Sequence, residues 1–302
     1  MRWKPDVVIY HDPCDDGFAA AWAAFRRYGD EVLYVPSNYG APPPDVTGKH
    51  ILIVDFSYKR GALRTMAQSA ASIVILDHHI TAQEELAPFA VDACGRAFLS
   101  ADDVAGMLED LAELGAPPVL AYFDQERSGA RLAWRFCHGE TETPDLIRYV
   151  EDRDLWRFHI PGTRAISLWI RTHPYDFDVW TSIAAQLADE KLGGEIMQQA
   201  SAIETYYDQR IADMAMQAYW SDVGGFKVPT VNCPRVFASD VAHALLRQFP
   251  NAHFAATWNE RDGHRGFSLR SEDSRVDVAA IAATFGGGGH RNAAGFAIKV
   301  PA

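Results

Sequence analysis

The sequence predicts an α/β protein with an N-terminal parallel sheet covered by helices on both faces, a helical linker and a smaller mixed α/β C-terminal domain. Three observations carry this. Val7–Tyr10, the HILIVD stretch of 50–55 and the IVIL stretch of 73–76 are unbroken apolar runs, the pattern of strands buried on both faces. Helical patterns over Gly17–Tyr28 and Arg60–Ser69 alternate with them, which implies parallel pairing through right-handed crossovers. The last third changes character: FKVPTVNC, HFAATWNE, GFSLRS and AGFAIKV read as strands with polar alternation, with helices over Asp240–Gln248 and Val276–Thr284 among them.

Between these regions the pattern is helical. SGARLAWRF (128–136) is amphipathic, DLIRYVEDRDLWRF (145–158) carries an acidic cluster, and a long polar helical pattern runs from about Leu187 to Tyr219. The expected division is a first domain over 1–185, a helical linker over 186–222 and a second domain over 223–302.

Composition narrows the function classes. The 302 residues are 48% hydrophobic and 23% charged, as in an ordinary globular protein. No run of eighteen apolar residues occurs and no signal sequence is evident, so the chain reads as cytoplasmic, with no membrane partner. Cys14, Cys94, Cys137 and Cys233 form no C-x-x-C pair, against a disulfide framework or a zinc knuckle. A formal net charge of −12 disfavours binding to long DNA but leaves a small phosphorylated substrate open.

The three N-terminal strands all run into ionisable residues: His11 to Asp16, then Asp55, then Asp77-His78-His79. Ligands of open α/β sheets bind beyond the carboxyl ends of the strands. Carboxylates and imidazoles gathered there suit hard or borderline divalent ions. The available donors are His11, Asp15 or Asp16, Asp55, His78 and an acid from the EDRD stretch at 151–154, enough for a two-metal site. Any one of these acids alone would read as a helix cap or turn residue.

The second chemical feature is the glycine run Gly286–Gly289, followed by His290 and Arg291. Such a run permits close backbone approach and offers N–H groups to an anion. Arg270, at a strand end, and Arg291 could add charge-assisted bonds to phosphate. A tight turn is the plainer reading of the run, but the His-Arg that follows favours a phosphate-binding loop. It is not a Walker loop, since no Lys-Ser/Thr follows.

Together, Asp77-His78-His79, VDFS after the second strand, YVEDRDLW and FGGGGHRNAAGF resemble the DHH phosphoesterase superfamily in its form with a DHH-associated C-terminal domain. These motifs stand in that family's order and span residues 11 to 296. The resemblance implies a centre of two divalent ions, usually Mn²⁺ with Mg²⁺ or Co²⁺ as substitutes, and a C-terminal domain that grips substrate phosphate or nucleotide. It implies Asp55 as bridging carboxylate, with His11, Asp16, His78 and Asp152 as further metal ligands and Asp154 as the alternative to Asp152. Asp77 would support the ligands and His79 would face the substrate phosphate. Gly287, Gly288, Gly289, His290, Arg291 and Arg270 would contact the substrate. Ser128-Gly129 resembles a family helix start, although an N-cap is the favoured reading.

The first motif departs from the family's usual carboxylate pattern and reads H-x-x-C-x-D-G-x-x-A-A. Cys14 takes the place of an aspartate, either as a ligand that favours softer ions or as a small residue beside the site. Asp15 remains an alternative ligand there, and Asp12 reads as a turn residue. The activity implied is metal-dependent hydrolysis of short oligonucleotides or nucleotide phosphates. Exopolyphosphatase-like hydrolysis and non-catalytic nucleotide sensing are the alternatives. A small phosphorylated substrate or short oligonucleotide is the expected partner, and a homodimer is compatible.

Overall fold

The computed structural model describes residues 3–93, 95 and 97–300; Cys94 lies outside the described residues. The chain divides into two compact units between Ile203 and Glu204. Among the described residues no helix is long and apolar enough to cross a membrane.

The first unit is built on β1 (Val7–His11), α1 (Asp15–Tyr28), β2 (Leu33–Ser37), β3 (His50–Val54), α2 (Arg60–Ala67), β4 (Ser72–Asp77), α3 (Ile80–Glu85), β5 (Ala90–Val91), α4 (Ala101–Glu113) and β6 (Val119–Phe123). Its six strands lie in the order β2-β1-β3-β4-β6-β5, and every pairing is parallel. The apolar runs work by parity, because successive strand side chains point to opposite faces. Val8, Tyr10, Leu52, Val54, Val74, Leu76, Leu120 and Tyr122 enter one core with α1. Val7, Ile9, Ile51, Ile53, Ile73, Ile75, Val119 and Ala121 enter a second core on the other face. A doubly buried sheet is the reason these strands show no polar alternation.

Four helices follow: α5 (Gly129–His138), α6 (Asp145–Asp154), α7 (Thr163–Ile170) and α8 (Phe177–Ala188). Helix α1 packs most extensively against α5, through Ala19, Ala20, Ala23, Trp22, Ala130, Ala133 and Trp134, all buried in one core. The alanines let the two backbones approach. Helix α6 ends at Asp154, not at 158 as the periodicity suggested, because Trp156 and Phe158 adopt positive φ (56° and 52°). The turn is held from behind: Arg157 and Phe158 donate their N–H groups to the Asp152 carbonyl. The long α9 (Glu190–Ala215) runs across the division between the units, within the segment expected as linker.

The second unit contains β7 (Tyr219–Val223), β8 (Phe226–Asn232), α10 (Ala238–Gln248), β9 (Ala255–Arg261), β10 (His264–Arg270), α11 (Val278–Thr284), β11 (Gly288–His290) and β12 (Ala293–Lys299). Its sheet has the order β11-β12-β10-β9-β8-β7, with β8–β9 parallel and the other pairs antiparallel. Its first strand starts at Tyr219, ahead of the expected boundary at 223, because β7 closes a hairpin onto β8.

Two of the four glycines read from the sequence as a phosphate-binding loop lie in a strand. Gly288–His290 form an edge strand paired with Ala293–Gly295. The glycines answer to packing: a Cβ on Gly287 would stand 2.1 Å from the Gly295 carbonyl oxygen and 2.6 Å from the Phe296 Cβ. Gly288 has open space in the same position. Gly287→Ala should therefore destabilise the second unit by about 1–3 kcal/mol through overpacking, whereas Gly288→Ala should leave stability nearly unchanged. Urea unfolding of the two variants checks this; equal midpoints would refute the packing role of Gly287.

Candidate metal centre

The carboxyl ends of β1, β3 and β4 and the first turns of α1 and α5 converge. His11 is the last residue of β1, and Asp77 the last of β4. Asp55 follows β3 with φ 63°, a left-handed backbone that costs a non-glycine residue about 1–2 kcal/mol. Its N–H is held by the Leu76 carbonyl at 3.0 Å. Asp16, in the first turn of α1, accepts backbone N–H groups of Gly129 (2.6 Å) and Ala130 (3.1 Å) from the start of α5. A carboxylate is favoured at a helix N-terminus by its unpaired N–H groups and dipole. Ser128 caps α5, its Oγ accepting the Arg131 N–H.

Two glycines make the convergence tight. A Cβ on Gly17 would lie 2.1 Å from the His11 carbonyl oxygen, and a Cβ on Gly129 would lie 2.5 Å from the Asp55 Cβ. Only glycine lets α1 and α5 start against those strand ends.

The side-chain geometry centres on Asp55. Its Oδ2 lies 3.5 Å from His11 Nδ1, and its Oδ1 lies 3.3 Å from His78 Nε2. His78 Nε2 also faces Asp154 Oδ2 at 3.6 Å and Asp16 Oδ2 at 3.9 Å. Potential ligand atoms lie within 4.8 Å of one another in three overlapping sets: His11, Cys14 and Asp55; Asp55, His78 and His79; Asp16, His78 and Asp154. Asp77 Oδ1 accepts the backbone N–H groups of His78 (2.8 Å) and His79 (3.2 Å) and pairs with His79 Nδ1 at 2.7 Å. Asp77 is thus a scaffold for the DHH turn that orients the His79 imidazole.

The electrostatics are those of crowded carboxylates around one imidazole. Burial pushes the Asp16 carboxyl well up, reinforced by the charges of Asp55 and Asp154. Desolvation and the Asp55 charge also raise Asp154. Burial opposes ionisation of Asp55, but the facing imidazoles of His11 and His78 prevail and hold it below the usual carboxylate range. Burial likewise opposes a charged His78, yet its approach to Asp55 and the charges of Asp154, Asp55 and Asp16 push it up to about 10. Burial pushes the Cys14 thiol well up, as do the neighbouring aspartates. His11 Nδ1 and Asp55 Oδ2 are buried without a partner at hydrogen-bond geometry. Native structures rarely leave such atoms unsatisfied, and this donor set fits divalent ions.

The structure places the paired acids differently. Asp152, expected as a ligand, is in none of the three sets; its carboxylate accepts the N–H groups of His159 (2.9 Å) and Ile160 (3.0 Å) and the Thr163 hydroxyl (2.5 Å). It ties down the loop after α6, while Asp154 stands in the cluster. Asp15 turns away from the cluster, to Arg171 Nε (2.5 Å) and the Tyr175 hydroxyl (2.8 Å). Asp16 is the acid that faces inward.

Two of the expected phosphate contacts of the second unit, Arg270 and Arg291, make hydrogen bonds within that unit. Arg270 donates to the Leu269 carbonyl and to Ser239 Oγ. Arg291 donates to the carbonyls of Asp273 and Arg275 and lies 3.7 Å from Asp277 Oδ2.

Sequence reasoning passed over Tyr39, just after β2. Its ring packs edge-on against His11 (centroids 5.2 Å apart), Phe56 (6.2 Å) and His79 (6.3 Å), and it is 56% exposed. No motif marked it, because β2 itself carries no unbroken apolar run.

The fold and site define a two-unit α/β protein with a candidate metal centre of carboxylates, imidazoles and a thiol at a parallel-sheet edge. No family model matches the chain. It is similar to an uncharacterized protein of Acanthamoeba polyphaga mimivirus, 29% identical over 97% of this chain and 68% of that protein. It is similar over 98% of its length to the solved DHH domain of a member of a family of ribosomal proteins, covering 83% of that chain at 12% identity and a TM-score of 0.48. RecJ from Thermus thermophilus, solved in complex with Mn²⁺, aligns with 97% of this chain and 49% of its own, at 14% identity and a TM-score of 0.47.

The division of labour between the two acids of α6 is open to measurement. Asp154→Asn should weaken Mn²⁺ binding by an order of magnitude or more with little change in melting temperature. Asp152→Ala should instead lower stability, since each polar group left without its acceptor costs roughly 1–3 kcal/mol; calorimetry and thermal melts of both variants separate the roles. Protons give a second check. A histidine raised above its unfolded value of about 6.5 stabilises the metal-free fold below that pH, and the contribution is lost as pH rises through about 10. A metal ion bound by His78 would have to displace this proton, so affinity should climb with pH over that window. Titration heats at pH 7 in buffers of different ionisation enthalpy should differ, and identical heats would contradict a proton held on His78.

Proposed function

We propose that this chain is a divalent-metal-dependent phosphoesterase of the DHH class, hydrolysing short oligonucleotides or nucleotide phosphates with water. The observation that carries the reading is Asp55: one carboxylate oxygen turns to His11 beside Cys14, the other to His78 beside Asp16 and Asp154. A carboxylate turned both ways would suit a bridging place between two ions. The DHH motif and its order with the other motifs along the chain supply the class.

A bound pair of ions, Mn²⁺ being the first candidate, would supply an activated water and neutralise charge on the phosphoryl oxygens. The chain's own residues do the rest. His11, Asp16, Asp55, His78 and Asp154 would hold the ions, and Gly17 and Gly129 let those side chains stand close together. Asp77 accepts from His79 Nδ1 and so presents the opposite nitrogen of that ring, which binds a phosphoryl oxygen and stabilises charge developing there. Tyr39 offers an exposed aromatic ring at the same rim for a nucleobase or sugar. No covalent nucleophile from the protein is required. The formal net charge of −12 disfavours a long polyanion and favours short substrates, whose few phosphates the metal ions can neutralise.

The test is a product screen with Mn²⁺ across di- to pentanucleotides, bisphosphorylated nucleosides, cyclic dinucleotides and polyphosphate. Turnover should appear with a nucleotide substrate, and polyphosphate alone being cleaved would move the assignment to a phosphoanhydride hydrolase. Asp55→Ala should abolish both metal binding and hydrolysis. Full activity in that variant would sink the reading.

A further inference from the structure

We infer that the centre holds two chemically unlike ions, a thiolate-accepting borderline ion of the Zn²⁺ class at His11, Cys14 and Asp55 and a hard ion such as Mn²⁺ at Asp16, His78, Asp154 and Asp55. The inference rests on the metal-dependent reading above and deepens it.

The two halves differ in donor chemistry. The first brings one sulfur, one ring nitrogen and one carboxylate oxygen within 4.8 Å of one another. Three protein ligands of this kind, with a fourth position left for water, are the habit of Zn²⁺ in catalytic sites. The second gathers His78 Nε2 with carboxylates from Asp16, Asp154 and Asp55, at 3.9, 3.6 and 3.3 Å from that nitrogen. One nitrogen among several carboxylate oxygens suits Mn²⁺ or Mg²⁺, and sulfur does not.

Cys14 is placed in the first half by more than its proximity. The two other donors of that half, His11 Nδ1 and Asp55 Oδ2, are both buried polar atoms that find no partner at hydrogen-bond geometry. Asp55 is 1% exposed, so its Oδ2 is shut off from bulk solvent. An ion seated among His11, Asp55 and Cys14 satisfies both atoms and uses the sulfur as its third protein ligand. A sulfur also selects: among divalent first-row ions Mn²⁺ binds N/S donors most weakly and Zn²⁺ far more tightly. The same Asp55 carboxylate then joins a soft and a hard half, through Oδ2 on one side and Oδ1 on the other.

The test uses Co²⁺ as a spectroscopic stand-in for Zn²⁺. Titrating the metal-free full chain should produce a thiolate-to-Co²⁺ charge-transfer band in the near ultraviolet that saturates at one equivalent. Excess Mn²⁺ should fill the second half without bleaching the band. Cys14→Asp should lack the band, lose an order of magnitude or more in Zn²⁺ affinity and bind Mn²⁺ in both halves. Cys14→Ser keeps the side chain's size and should also lack the band, which guards against a folding defect in the aspartate variant. Co²⁺ bound by the unsubstituted chain without a thiolate band would overturn the inference and leave the phosphoesterase reading standing. Failure of that chain to bind Co²⁺, Zn²⁺ or Mn²⁺ would overturn both.

Discussion

The structure depends on how Asp55 is held. The residue sits just past β3 in a left-handed conformation, almost completely enclosed, with Phe56 fully buried behind it. That backbone turn points one carboxylate oxygen to the end of β1 and the other to the end of β4. The start of α5 closes on it so tightly that Gly129 has no room for a side chain. Local strain of this kind persists only where the surroundings over-determine it, and it concentrates at functional sites. Here the parallel ladder and the Leu76 carbonyl do the determining.

Gathering several carboxylates in one place, two of them buried, opposes folding unless something compensates their charge. The chain compensates part of it internally, through His78 and the backbone N–H groups of α5, and leaves specific atoms unsatisfied. The supporting acids are treated differently from those of the cluster. Asp77 and Asp152 spend their hydrogen bonds on nearby residues and act as anchors for the DHH turn and for the loop after α6. Asp15 is neutralised away from the cluster by Arg171. Asp16, Asp55 and Asp154 instead all turn an oxygen toward the one imidazole of His78, which cannot balance three carboxylates.

Much of this was legible in the chain. Both-face burial writes itself as unbroken Val/Ile/Leu runs, so the main strands of the first sheet and their ionisable ends could be read directly. Leu33–Ser37 and Val119–Phe123 were not marked, the first because it contains a proline and is mostly accessible at the sheet's flank, the second because Ala and Tyr interrupt its aliphatic run. The choice within EDRD was not legible either. Asp152 and Asp154 are two residues apart on one helix, about 200° around its axis, so only one can face the cluster. Which one does depends on where α6 docks.

By itself the sequence determined the fold class, the DHH motif and the gathering of acids and imidazoles at one sheet edge, because period and strand ends are local properties. Tertiary structure decided everything that depends on a partner distant in the chain. It turned Asp16 inward and Asp15 outward, assigned Asp152 to a loop and Asp154 to the centre, and placed two glycines of the run in an edge strand. It also brought the Cys14 sulfur beside His11 and Asp55. The physical reason is the same in each case: a side chain's role follows from what the opposing backbone leaves room for and which charges it must face, and those neighbours are set by packing between elements far apart in sequence.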